Sequence, residues 1–196
     1  MDSSAMTAVA PEAAAADAKP DELHYHYEPL LAVEGTMQYM AVESIATVNF
    51  FQGVEISAMA TALRKRLLLV CKANPWLLAR VVRDKKRDKK HVLQRYPMPS
   101  ELLTEENLND IIVEMDCEKS KHVIGPDMKY EDLCKTVMKA KLSVDTGSKI
   151  LNKDVAVSMF TLCKCSSEAG GDNTIALIVS LSHTVADGYT YFKVMS

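Results

Sequence analysis

The chain has no apolar run long enough to span a bilayer, which excludes a membrane-spanning segment in this sequence. It also lacks a basic surplus. Its 23 Lys and Arg stand against 26 Asp and Glu, a formal net charge of -3, so nucleic acid is a poor candidate for the main partner. The first 22 residues have neither a basic start nor an apolar centre and do not form a secretory signal. The five cysteines, Cys71, Cys117, Cys134, Cys163 and Cys165, are odd in number and have no metal-finger spacing. Reduced thiols in a cytoplasmic setting are therefore expected. No internal repeat is visible, and no metal site is expected.

What is present is an ordinary globular balance, 48% hydrophobic and 25% charged, over a length that suits one domain. Residues 1–22 are Ala-rich with Pro11 and Pro20 and are expected to be a disordered leader. His24 and His26 alternate with Tyr25 and Tyr27. Without an Asp, Glu or Cys placed to complete a metal site, they suit chain-entry packing better.

Glu43–Gln52 reads as a strand ended by Gly53. Ser57 is then placed to cap a helix to about Ala73, with Ala60, Leu63, Leu67 and Val70 on its buried face and Pro75 as its stop. Trp76–Arg83 and His91–Tyr96 read as a hairpin whose charged linker, Asp84–Lys90, keeps the turn in water. A short helix near Thr104–Asn109 precedes a strand at Ile111–Met115. Asp127 is expected to cap a second helix carrying Tyr130, Leu133, Cys134, Val137 and Lys141. Asp154–Cys165 and Thr174–Ser182 read as strands around the turn-rich Ser166–Asn173, with Cys163 and Cys165 as small core residues. The succession predicts an α/β (α+β two-layer sandwich) fold, a mixed sheet flanked by helices.

The chemistry is concentrated at the end of the last strand, in Ser182-His183-Thr184-Val185-Ala186-Asp187-Gly188. A neutral imidazole leaving a buried strand can accept a proton near pH 7. Asp187 can anchor the loop that aims it, and Gly188 can let the backbone turn without a Cβ clash. The bland alternative is a strand-end histidine followed by a plain helix cap at Asp187.

With Leu181 before it and Phe192 after it, this motif resembles the His-x-x-x-Asp-Gly signature of the chloramphenicol-acetyltransferase-like superfamily of CoA-dependent acyltransferases. The plant-type BAHD acyltransferases, wax ester synthases and peptide-synthetase condensation domains belong to it. Asn74-Pro75-Trp76-Leu77-Leu78-Ala79-Arg80-Val81 is similar to the family's helix–Pro–strand passage, and the hairpin Val155–Ser182 is similar in layout. The likeness runs from about Leu30 to Ser196. Ser182 stands where many members carry a first histidine, which points to single-His branches such as the BAHD enzymes.

The resemblance implies a chloramphenicol-acetyltransferase-like N-terminal subdomain over 23–196, cut just after the motif. It implies acyl transfer from an acyl-CoA or other thioester co-substrate to a small-molecule hydroxyl or amine acceptor, with no tightly bound cofactor. His183 would be the general base. Asp187 would turn from the substrate to pair with an arginine, for which Arg80 is the positional candidate, and Gly188 would leave substrate room. A second subdomain or a homotrimer would complete the site. The competing expectation is a truncated or degenerate homologue that keeps the fold, with or without ligand or partner binding, and has no catalysis.

Overall fold

A computed structural model describes residues 22–84 and 91–195. Nearly all of the Ala-rich leader, and Lys85–Lys90 of the charged linker, lie outside the described residues.

The strands divide into two sheets instead of the single one expected from their succession. The smaller is antiparallel, with β1 (His24–Pro29), β4 (Val92–Met98) and β3 (Arg80–Arg83) in that spatial order. The larger has the order β2 (Ile45–Gln52), β7 (Thr174–Leu181), β6 (Ser158–Lys164), β5 (Ile112–Asp116). It is mixed as expected: β5 runs parallel to β6, and the other pairs are antiparallel. The sheets meet where Arg80 bridges Ala156 and Val157 N–H donates to Ala79 C=O at 3.0 Å.

The eight-residue strand β7 lies between β2 and β6, and only Leu177 on it is not fully buried. Its side chains alternate between two faces. Ile175, Leu177, Val179 and Leu181 pack with residues of α2 (Ile56–Ala73), among them Leu63, Leu67 and Cys71. Ala176 and Ile178 pack in the cluster that holds Val137 and Leu133 of α4 (Tyr130–Lys139). Helices therefore cover both faces of the larger sheet, which explains the near-continuous apolar run of β7. Removing a buried side chain of this kind, such as Leu67→Ala, costs about 2–5 kcal/mol.

Several local expectations are corrected. The cap residue of α2 is Glu55, and the Ser57 carbonyl instead accepts from Thr61 Oγ1. Pro75 does stop that helix, but it opens a 3-10 turn, Pro75–Leu78, before β3 begins at Arg80. The cap of α4 is Lys129, while Asp127 lies against Gly170 and its N–H donates to Ala169 C=O. Thr104 and Asn107 make a reciprocal capping box on the short turn Glu105–Leu108. Three further helices are α1 (Met37–Met40), α3 (Cys117–Ser120) and α5 (Gly147–Ile150). The last is α6 (Gly188–Met195). No helix among the described residues is long and apolar enough to cross a membrane.

Candidate active site

The motif loop is tied at both ends. Where β7 stops, Ser182 N–H donates to Val157 C=O at 2.7 Å, and Val185 N–H closes a turn onto Ser182 C=O at 3.2 Å. Further on, the Asp187 carboxylate accepts from Thr190 N–H at 2.8 Å, and its carbonyl accepts from Tyr191 N–H at 2.9 Å. Those two bonds start α6, because a carboxylate before the first turn satisfies an otherwise orphaned N–H. The helix is then pinned to the sheet. The fully buried Tyr191 hydroxyl donates to Val179 C=O at 3.0 Å and lies 2.6 Å from Thr47 Oγ1.

His183 projects from the middle of this loop and is half-buried. Its ring meets the Tyr39 ring edge-on, with centroids 5.5 Å apart and planes at 81°. Tyr39 belongs to α1, whose Thr36 cap accepts from Tyr39 N–H at 3.3 Å. The residue after His183, Thr184, is buried against Gly147 at the start of α5, and the Met40 carbonyl borders the same spot. Thus α1, α5 and the end of β7 together set the position of the imidazole. Tyr39 and Gly147 carried no signal in the sequence, since neither belongs to a recognisable pattern.

His183 Nδ1 is sealed from solvent and has no hydrogen-bond partner among the described residues. A substrate proton can therefore reach the ring only at Nε2. That chemistry needs the tautomer with hydrogen on Nδ1. Asp187 is held below its ordinary carboxyl pKa chiefly by the Thr190 backbone N–H and hydroxyl, with a smaller electrostatic contribution from His183.

Arg80 does not pair with Asp187. Its guanidinium donates from Nη2 to Asp110 at 2.6 Å, from Nε to Asp154 at 3.0 Å and from Nη1 to Leu78 C=O at 2.9 Å. Arg95 joins the same Asp154 at 3.5 Å. Position after the first long helix suggested Arg80. The two carboxylates that hold it come from distant loops, so sequence position was the wrong guide. The structural role expected of Gly188 is also revised. Its φ lies outside the left-handed region, and a Cβ there would meet nothing within 4 Å. The fold does not require glycine at that position, although the open space beside it remains.

His183 lines neither of two cavities formed by the described residues. One of about 460 Å³ is bordered by Cys117, Lys121, His122 and Ser166–Glu168. The other, about 670 Å³, runs between α2 and α6 past Leu69, Trp76 and Tyr189. Among the described residues no group of His, Cys, Asp or Glu is arranged to hold a metal ion. His24 and His26 lie on the exposed strand β1, where His26 packs on Tyr96 with ring centroids 5.1 Å apart.

Solved structures share this fold. The F. sporotrichioides TRI101 structure, complexed with coenzyme A and T-2, superimposes with a TM-score of 0.54 over 87% of this chain, at 10% identity. The F. graminearum TRI101 structure with ethyl coenzyme A gives 0.54 over 88%, at 13% identity. The chain has a chloramphenicol-acetyltransferase-like fold. The starter condensation domain of the rhizomide synthetase RzmA also matches, with a TM-score of 0.50 over 87% of the chain, at 13% identity. The chain spans 39%, 38% and 35% of the length of these three structures, so the likeness is to one half-domain of each. No protein-family model matches the sequence, and comparison with curated proteins finds no match.

Proposed function

We propose that this half-domain supplies the general base of an acyltransferase that moves an acyl group from a CoA-type thioester to a hydroxyl or amine. The observation that carries the reading is the placement of His183, on a turn fixed at the end of β7 within this fold. In that mechanism Nε2 takes the acceptor's proton as its oxygen or nitrogen attacks the thioester carbonyl. The resulting tetrahedral oxyanion needs hydrogen-bond donors, which we assign to a second half-domain or a second chain packed beside His183. Asp187 contributes by starting α6 and so fixing the loop, and the open space at Gly188 leaves room for substrate. Substrates would be small molecules, in a cytoplasmic setting.

A second reading, a homologue that keeps the fold without catalysis, is favoured by one observation. Among the described residues no arginine pairs with the motif aspartate, and Arg80 is held by Asp110 and Asp154. A non-catalytic homologue could keep ligand binding, so turnover separates the two. Coenzyme A released from acetyl-CoA in the presence of an alcohol or amine acceptor, and lost in His183→Ala, supports the acyltransferase. No acceptor-dependent release, from a protein folded by circular dichroism and supplied with whatever completes its site, leaves the non-catalytic reading.

A further inference from the structure

At the end of the larger sheet remote from His183, the cavity of about 460 Å³ is bordered by two loops. One, residues 121–125, follows α3, and the other, residues 166–171, joins β6 to β7. Strand β7 runs for eight residues between the second loop and the motif. At about 3.3 Å per residue, that places the cavity roughly 25 Å from His183. The two loops are tied to each other. Ser166 N–H donates to Ile124 C=O at 2.8 Å, and Asp127 N–H donates to Ala169 C=O at 3.2 Å. Gly125 lies so close to Ala169 that no Cβ fits between them. The cavity is therefore pre-formed, as small-molecule sites usually are.

Its lining carries charges of both signs. Lys121 holds a left-handed φ of 58°, which a residue with a Cβ adopts only where its surroundings dictate it. That turn sets Lys121 and His122 at the cavity edge, and Glu168 stands on the facing loop. Neither Lys121 nor Glu168 forms an ion pair with the other or with any other described residue. The His122 ring likewise has no hydrogen-bond partner among the described residues. Ser166 lines the same cavity and is only 6% exposed, and its hydroxyl has no partner among the described residues. A buried hydroxyl is costly unless a polar group meets it, and a polar ligand in the cavity would do so.

We propose that this cavity is a binding site for a free α-amino acid, separate from the acyl-transfer site. Lys121, His122 and the Ser166 hydroxyl receive the carboxylate, and Glu168 receives the ammonium. The volume suits a small molecule, for which sites of about 300–1,000 Å³ are usual. Charge decides between the ligand classes. A phosphate or a simple carboxylate sets an anion beside an unpaired Glu168, and a simple amine sets a cation beside an unpaired Lys121. A zwitterion satisfies both. The site does not depend on the acyltransferase reading.

The test is calorimetric titration of the full chain with each standard amino acid, and with acetate, ethylamine and inorganic phosphate as controls. The expected result is one site with a Kd between about 10 μM and 1 mM for at least one amino acid. Glu168→Gln, Lys121→Gln and Ser166→Ala should each weaken it by about tenfold or more, whereas His183→Ala should leave it unchanged. Lys121 and Glu168 are exposed, so their two variants keep the fold. No heat with any amino acid at about 10 mM overturns the proposal. So does acetate, ethylamine or phosphate binding as tightly as the amino acid. Amino-acid binding that Glu168→Gln and Lys121→Gln both leave intact overturns it too, because the ligand then sits elsewhere, as an acyl acceptor beside His183 would.

Discussion

Gly147 lies directly beneath Thr184, with no room between them for a methyl group. The residue beside the candidate base is thus seated by the first residue of a four-residue helix, 36 positions before His183. Gly147→Ala should destabilise the protein by about 1–3 kcal/mol through overpacking. Because Thr184 Oγ1 has no hydrogen-bond partner among the described residues, removing it is cheap. Thr184→Ala should therefore recover most of that loss, as read by urea denaturation of the single and double variants.

The Arg80 cluster gives a second prediction. Arg80 is nearly buried, while Asp110 and Asp154 are largely exposed. Arg80→Ala should cost about 1.5–3 kcal/mol through its charged hydrogen bonds. A cycle with Asp110→Asn should show coupling. A cycle with Asp187→Asn should be additive to within about 0.5 kcal/mol. Strong coupling of Arg80 to Asp187 would contradict the geometry described above.

Tyr191 joins α6 to both β2 and β7 through one hydroxyl. Tyr191→Phe should lower stability by about 1 kcal/mol, the net value of a typical buried hydrogen bond. Hydrogen exchange at Thr190 and Tyr191 should quicken as the helix start loosens, while the centre of β7 stays protected.

Asp187 provides a pH prediction. Its folded pKa is depressed below the ordinary 3.8 by the Thr190 hydrogen bonds. Its contribution to stability is therefore fully present above that ordinary value and is lost as pH falls through the lower folded value. Asp187→Asn, which still caps, should leave stability at neutral pH nearly unchanged and flatten this acid limb. An Asp187→Asn variant as acid-sensitive as the wild type would show that another group carries the effect.

The parts of the fold read from sequence are those whose signal is local. The run Thr174–Leu181 announced β7 because burial on both faces leaves no polar position to disguise it. Pro75 and Gly53 marked real boundaries. The division into two sheets was not legible, because Trp76–Ala79 looks like a strand by composition while Pro75 turns it into a 3-10 segment. At the site, His183 and Asp187 were visible as a motif. Tyr39 and Gly147 were not, because they reach the imidazole only through the packing of two short helices from remote parts of the chain. The partners of Arg80 failed for the same reason: Asp110 and Asp154 lie 30 and 74 residues away.

The most direct test of the central claim is turnover. Coenzyme A released from acetyl-CoA, with a panel of simple alcohols and amines as acceptors, is measured for the protein isolated with whatever completes its site, as wild type and as His183→Ala. The account predicts acceptor-dependent release that falls by about 10²- to 10⁴-fold in the variant while its circular dichroism and melting temperature are retained. A His183→Ala protein that turns over as fast as the wild type would contradict it.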